Sequence, residues 1–242
     1  ERQPRHAPRA GSGSANDFEQ HQCPRFGMPG GVIEGHVAAH GVADQNRAGV
    51  TKVFEQFLDI MGARGHLRAD TLDALQSVER ERCVKYGYGS RNFARSMDET
   101  VRRMEGETPS KLMQEIDALV QWILDHPVEP FPGVAETLED LASRHRMLLV
   151  TKGAHQEQND KVERSGFARW FMGLEILFEK NAERYREIVA RNSLDSSITW
   201  MVGNSPKSDI NMAMAAGLRA VFIPHRTVWD LERQPFIREP DL

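Results

Sequence analysis

The sequence predicts a three-layer α/β fold with an all-helical unit set ahead of most of its strands. Two observations carry this. Beyond residue 127, short apolar runs alternate with helical patterns at strand–helix spacing, which marks a parallel sheet covered by helices. Between residues 50 and 126, apolar positions recur at helical spacing only.

The helical unit opens with Val50, Val53, Phe54, Phe57, Leu58 and Met61, a single apolar stripe. Leu72, Leu75 and Val78 mark a second helix with Asp70 or Thr71 as its N-cap, and Tyr86-Gly87-Tyr88-Gly89 breaks the chain after it. Phe93, Met97, Val101 and Met104 give a third helix. Thr108-Pro109 opens a fourth, carried by Leu112, Ile116, Val120 and Ile123 and stopped by Asp125-His126-Pro127. Pro127, Pro130 and Pro132 form a stiff connector into the second part. There the pattern predicts a helix over 134–141, a strand over 147–150, a polar helix over 155–165 ending at Gly166, and a strand over 174–178. A helix around Tyr185 to Val189, a strand over 198–202, a helix over 207–216 closed by Gly217 and a strand over 220–223 follow. Residues 233–242 read as a tail. Glycine and proline crowd residues 1–49, where no period persists, and most of that stretch reads as loosely ordered.

Composition excludes several function classes. The net charge of −4, with 27% charged residues of both signs, argues against a nucleic-acid binder that works through bulk positive charge. No apolar run approaches the ~18 residues of a membrane span, and no apolar leader stretch is visible. Cys23 and Cys83 make neither a disulfide scaffold nor a metal-ligand pattern, so a cytoplasmic protein is expected, monomer or homodimer, without nucleic-acid or membrane partners.

In a parallel sheet, ligands bind beyond the carboxyl ends of the strands. The residues there are Thr151-Lys152-Gly153, then Glu179-Lys180, then Gly203-Asn204-Ser205-Pro206-Lys207-Ser208-Asp209, and finally Pro224-His225. Thr151, Lys180 and Asp209 are equally spaced along the chain, one strand–helix repeat apart. A hydroxyl, an ammonium and a carboxylate on one rim suit a phosphate and a hard cation. Thr151, Lys152, Gly153 and Lys180 are the candidate phosphate-binding residues, and Asp209 with Asn204 offers the oxygen donors that Mg²⁺ prefers. Each has a plainer reading as well: a helix cap for Thr151, a surface lysine for Lys180, a first-turn carboxylate for Asp209. Lys152 and Lys207 read as rim charges too, and Tyr86 and Tyr88 as packing in a hinge.

At these residues the sequence resembles the haloacid dehalogenase superfamily of Asp-nucleophile hydrolases. Leu148-Leu149-Val150-Thr151-Lys152-Gly153 resembles its second motif, the lysine of Glu179-Lys180-Asn181 its third, and the 203–209 loop its fourth. Cys83 to Ser90 and Phe131-Pro132-Gly133-Val134 fit as well. The resemblance implies a three-layer Rossmann-like parallel sheet core at 127–232 with an inserted all-helical cap domain at 50–126. It implies a Mg²⁺-dependent phosphatase acting on a small phosphate monoester, with Thr151 and Lys180 catalytic and the metal at Asp209 and Asn204.

The superfamily's first motif is a strand ending in Asp-x-Asp-x-Thr, one carboxylate attacking phosphorus and the other protonating the leaving group. No Asp-x-Asp precedes Val50. Asp44 is the nearest candidate nucleophile, but it lacks the second carboxylate, the threonine and an apolar strand before it. The strand itself is expected within 1–49, near Val32-Ile33. Three readings follow: an active phosphatase using Asp44 or another aspartate, a catalytically dead relative that binds phosphate or a partner, or a segment 1–49 that is not the functional N-terminus because of an altered reading frame or start. A haloacid dehalogenase is the further enzyme reading.

Overall fold

The computed structural model of the chain describes residues 36–40, 46–128, 130–225 and 229–242. Four helices make the cap: α1 (Asn46–Ala63), α2 (Arg68–Tyr86), α3 (Ser90–Glu105) and α4 (Ser110–Asp125). The first begins at Asn46 rather than Val50, so the helix takes in a turn that lies ahead of the apolar stripe. Phe57, Met61, Leu75, Met97, Ile116 and Ile123 meet in one cluster without exposed surface. The i, i+3, i+4 stripes of the sequence thus become one helix-on-helix core.

The core domain is a five-stranded parallel sheet of β1 (His36–His40), β2 (Arg146–Lys152), β3 (Leu174–Leu177), β4 (Thr199–Gly203) and β5 (Arg219–Phe222). The strand order is β3-β2-β1-β4-β5, and the parallel sheet with its helical cap is the Rossmann-like α/β architecture that the sequence predicts. Between the strands run α5 (Val134–Ala142), α6 (His155–Ser165) and α7 (Ala182–Arg191). The helix expected at 207–216 instead begins as a π-helical turn, Pro206–Asn211, that runs into α8 (Met212–Ala215). Ser205 caps that turn, its hydroxyl accepting the Ser208 N–H at 2.9 Å. Gly166 ends α6 in the left-handed region at φ 69°, which glycine enters without the Cβ penalty.

The strand missing from the sequence reading is β1, and it occupies the centre of the sheet. It lies three residues beyond Val32-Ile33, which fall outside the described residues. His40 pairs with Val150 and Ala39 with Val202, so the carboxyl end of β1 sits one residue short of Thr151 on β2. At the other end of the chain, 233–242 folds back onto the core. Asn211 Nδ2 donates to Pro235 O at 2.8 Å, and Phe236 meets Phe222 edge to face at 5.0 Å.

Candidate active site

The carboxyl ends of β2, β3 and β4 bring Thr151, Lys180 and Asp209 onto one rim. Thr151 is buried on β2, and its hydroxyl donates to Gln158 Oε1 of α6 at 3.0 Å. Lys180, just beyond β3, is wholly buried and donates from Nζ to Asp209 Oδ1 at 2.8 Å. Burial pushes the Lys180 pKa below its ordinary value, and the Asp209 carboxylate works against that shift. The other oxygen of Asp209 accepts the Ser205 N–H at 3.0 Å. This geometry depends on Gly203, because a Cβ there would stand 2.5 Å from Asp209 Oδ2. The small residue that ends β4 is what lets the loop fold over its own carboxylate.

Lys152 points into a second polar cluster. Its ammonium donates to Ser208 Oγ at 2.8 Å, Glu232 Oε1 at 2.5 Å and Glu179 Oε1 at 3.2 Å, and lies 4.0 Å from the centre of the Tyr88 ring. Glu232 is buried and accepts the Ser205 hydroxyl through its other oxygen at 2.5 Å. Burial works to raise its carboxyl pKa, but Lys152, Ser205 and Ser208 outweigh that and the net direction is down. Tyr88 donates its hydroxyl to Glu179 Oε2 at 2.8 Å, and burial followed by that carboxylate raises the phenol pKa. The cap is bonded to the core again where Ser90 N–H and Oγ both donate to Glu157 of α6 at 2.8 Å.

Sequence reasoning located Thr151, Lys180 and Asp209, and the structure brings them to one rim. Gly153 follows Thr151 and packs on Gln158, where a Cβ would meet Nε2 at 2.9 Å. Asn204 is half-buried at the start of the loop. Lys152, read as a rim charge, is instead held by two carboxylates, so it reaches a phosphate only by giving up part of that pairing. Asp44 lies outside the described residues. Sequence reasoning gave no role to Gln158 or Glu232, and it placed Tyr88 in the hinge without its bond to Glu179. Glu179 had one signal, its place at a strand end beside Lys180; Glu232, 80 residues from Lys152, had none.

The donor set decides how well the site suits Mg²⁺. Asp209 is spent on Lys180, Asn204 brings no charge, and no group of three or more His, Cys, Asp or Glu among the described residues could hold a metal. A cation that dehydrates reluctantly needs more oxygen donors than this. The described residues do not make a Mg²⁺ shell.

A parallel sheet in this order, with an inserted helical cap and a lysine–aspartate pair at the strand ends, defines a Rossmann-like α/β domain with its candidate site under the cap side of the sheet. The family model of haloacid dehalogenase-like hydrolases matches residues 68–223, and the chain belongs to that family. No curated protein sequence matches the chain. Among solved structures, a haloacid dehalogenase-like family hydrolase from Xanthomonas campestris is 27% identical, over 86% of this chain and 87% of that one, with a TM-score of 0.74. A 2-haloacid dehalogenase from Pseudomonas syringae pv. Tomato shares the fold at 21% identity, 84% and 92% coverage and a TM-score of 0.55. A HAD-hydrolase from Bacillus subtilis bound to magnesium does so at 14% identity, 78% and 88% coverage and a TM-score of 0.58.

Proposed function

We propose that this rim binds the phosphoryl group of a small phosphate monoester and that the chain hydrolyses it very slowly. The observation that carries this reading is the alignment of Thr151 with the buried Lys180–Asp209 pair at the ends of parallel strands. A buried ammonium with the Thr151 hydroxyl on the same rim forms an electrostatic cradle for an oxyanion once that hydroxyl turns from Gln158. Turnover asks for more. An aspartyl-phosphate route needs one carboxylate to attack phosphorus and another to move the leaving-group proton. The strand that should present them, β1, reads His-Val-Ala-Ala-His and carries neither. Lys180 cannot replace the nucleophile while its proton bonds Asp209.

The test is a titration with inorganic phosphate followed by an assay on p-nitrophenyl phosphate, with and without Mg²⁺. Weak phosphate binding that falls in Thr151→Ala, with turnover near background, is the expected result. Rapid turnover abolished by Asp44→Asn would make Asp44 the nucleophile and overturn the slow-turnover reading. Phosphate binding unchanged in Thr151→Ala would remove the cradle.

One observation favours a second reading. Among the described residues the rim is poor in metal ligands, with Asp209 held by Lys180 and Asn204 uncharged. This suits displacement of the halide from carbon of a 2-halo acid, with Asp44 as the candidate nucleophile, better than metal-assisted phosphoryl transfer. Chloride release from 2-chloropropionate, with no binding of phosphate, would select it.

A further inference from the structure

Residues 229–232 touch both halves of the molecule. On the core side, Glu232 is buried against Lys152 and Ser205, each at 2.5 Å. Three residues earlier, Trp229 faces the cap. Its indole N–H bonds the buried carboxylate of Glu79 on α2, and its ring meets Tyr88 edge to face with centroids 5.5 Å apart. A backbone bond from Glu232 N–H to Trp229 O at 2.8 Å fixes the turn, so the two side chains are held relative to each other. Lys152 completes the circuit. Its ammonium lies on the Tyr88 ring, and it shares Glu179 with the Tyr88 hydroxyl.

We propose that Trp229–Glu232 is a clasp: Glu232 is a positioning residue that holds Lys152 and the 205–209 loop in register, and Trp229 makes that register depend on the cap being docked. The inference is independent of which substrate the rim takes. Its physical basis is that each member satisfies another. Glu232 is a buried carboxylate whose charge is balanced by Lys152 and whose second oxygen is taken by Ser205. Lys152 in turn is shielded from water by Tyr88, and Tyr88 by Trp229. Withdrawing the cap removes Tyr88 and wets Lys152, which loosens the pair that holds Glu232 on the loop. Buried polar networks of this kind hold as units, since a half-satisfied network is worse than none.

Hydrogen exchange on the full chain tests this. Trp229→Ala and Glu232→Gln should each speed exchange at both the 87–90 hinge and the 205–209 loop by about tenfold, while α4 and β2 keep wild-type rates. The double variant should be no faster than the worse single one, because the clasp breaks only once. Acceleration of only the nearer segment in each variant, or additive effects in the double, would overturn the proposal. If α4 and β2 also accelerate, the variant has lost its global fold; the same comparison then runs on Trp229→Phe and Glu232→Asp, with the same two outcomes deciding it.

Discussion

In the cap, Phe57, Met61, Leu75, Met97, Ile116 and Ile123 are buried without a polar partner, and they come from helices that follow one another in the chain. At the sheet rim, the buried polar groups include Thr151, Lys180, Asp209, Ser205, Ser208 and Glu232, and their bonds span separations of up to 80 residues. Apolar packing is non-directional and tolerates small changes, since neighbours relax around a lost methyl group. A network of charges and hydroxyls is directional. Removing one member leaves another buried without a partner, and that penalty is large. The rim therefore holds its members at fixed distances, as a site needs, and is correspondingly brittle. The cap is robust and sets shape.

The largest expected effect breaks the rim. Asp209→Ala removes the buried carboxylate that balances the Lys180 ammonium and should cost about 3–5 kcal/mol in urea denaturation. The double variant Lys180→Met/Asp209→Leu should recover most of that loss. A single variant as stable as the wild type would mean that the rim is no more brittle than the cap.

The second sharpens the comparison where the cap itself uses a buried charge. Burial raises the Glu79 carboxyl to about 7, against the opposing Trp229 bond. A raised carboxyl pKa favours the protonated form in the fold. Its contribution is complete below the unfolded value near 4.5 and is lost as pH rises through about 7. Between pH 4 and pH 8 the wild type should lose about 3 kcal/mol relative to Glu79→Gln. Parallel stability curves for the two proteins would remove Glu79 as the cause.

The smallest effect belongs to the apolar interior. Ile116→Val removes one methylene from the cap cluster and should cost about 1 kcal/mol by urea midpoint, with no change in phosphate binding. A loss as large as that of Asp209→Ala would erase the contrast.

The same contrast explains what the sequence made legible. The cap helices announced themselves because the stripe Val53, Phe57, Met61 repeats with the helical period, and β2 and β4 are short apolar runs bounded by polar residues. Thr151, Lys180 and Asp209 could be found because each follows such a run. β1 could not, because Val37 alone in His36-Val37-Ala38-Ala39-His40 has apolar bulk and β-branching, too little for a recognisable run. It is a strand through its neighbours, paired on both sides by β2 and β4. Glu232 was hidden for a different reason. Its partner Lys152 is chosen by a turn that only the folded chain brings near, and a lone glutamate beyond the last strand carries no pattern.

The return of the chain's last residues onto β5 bears on how this protein behaves in a crowded solution. β5 ends the sheet on one side, where a bare strand offers unpaired N–H and C=O groups to any other strand. Here Asp241 N–H donates to Ala220 O and Phe222 N–H donates to Leu242 O, both at 2.9 Å, while the Asp241 side chain takes the Ala220 N–H. The sheet is thus fenced by its own chain, with a carboxylate standing at the fence. Self-association by strand addition on that side would first have to peel the terminal segment away, which makes residues 236–242 a guard against aggregation.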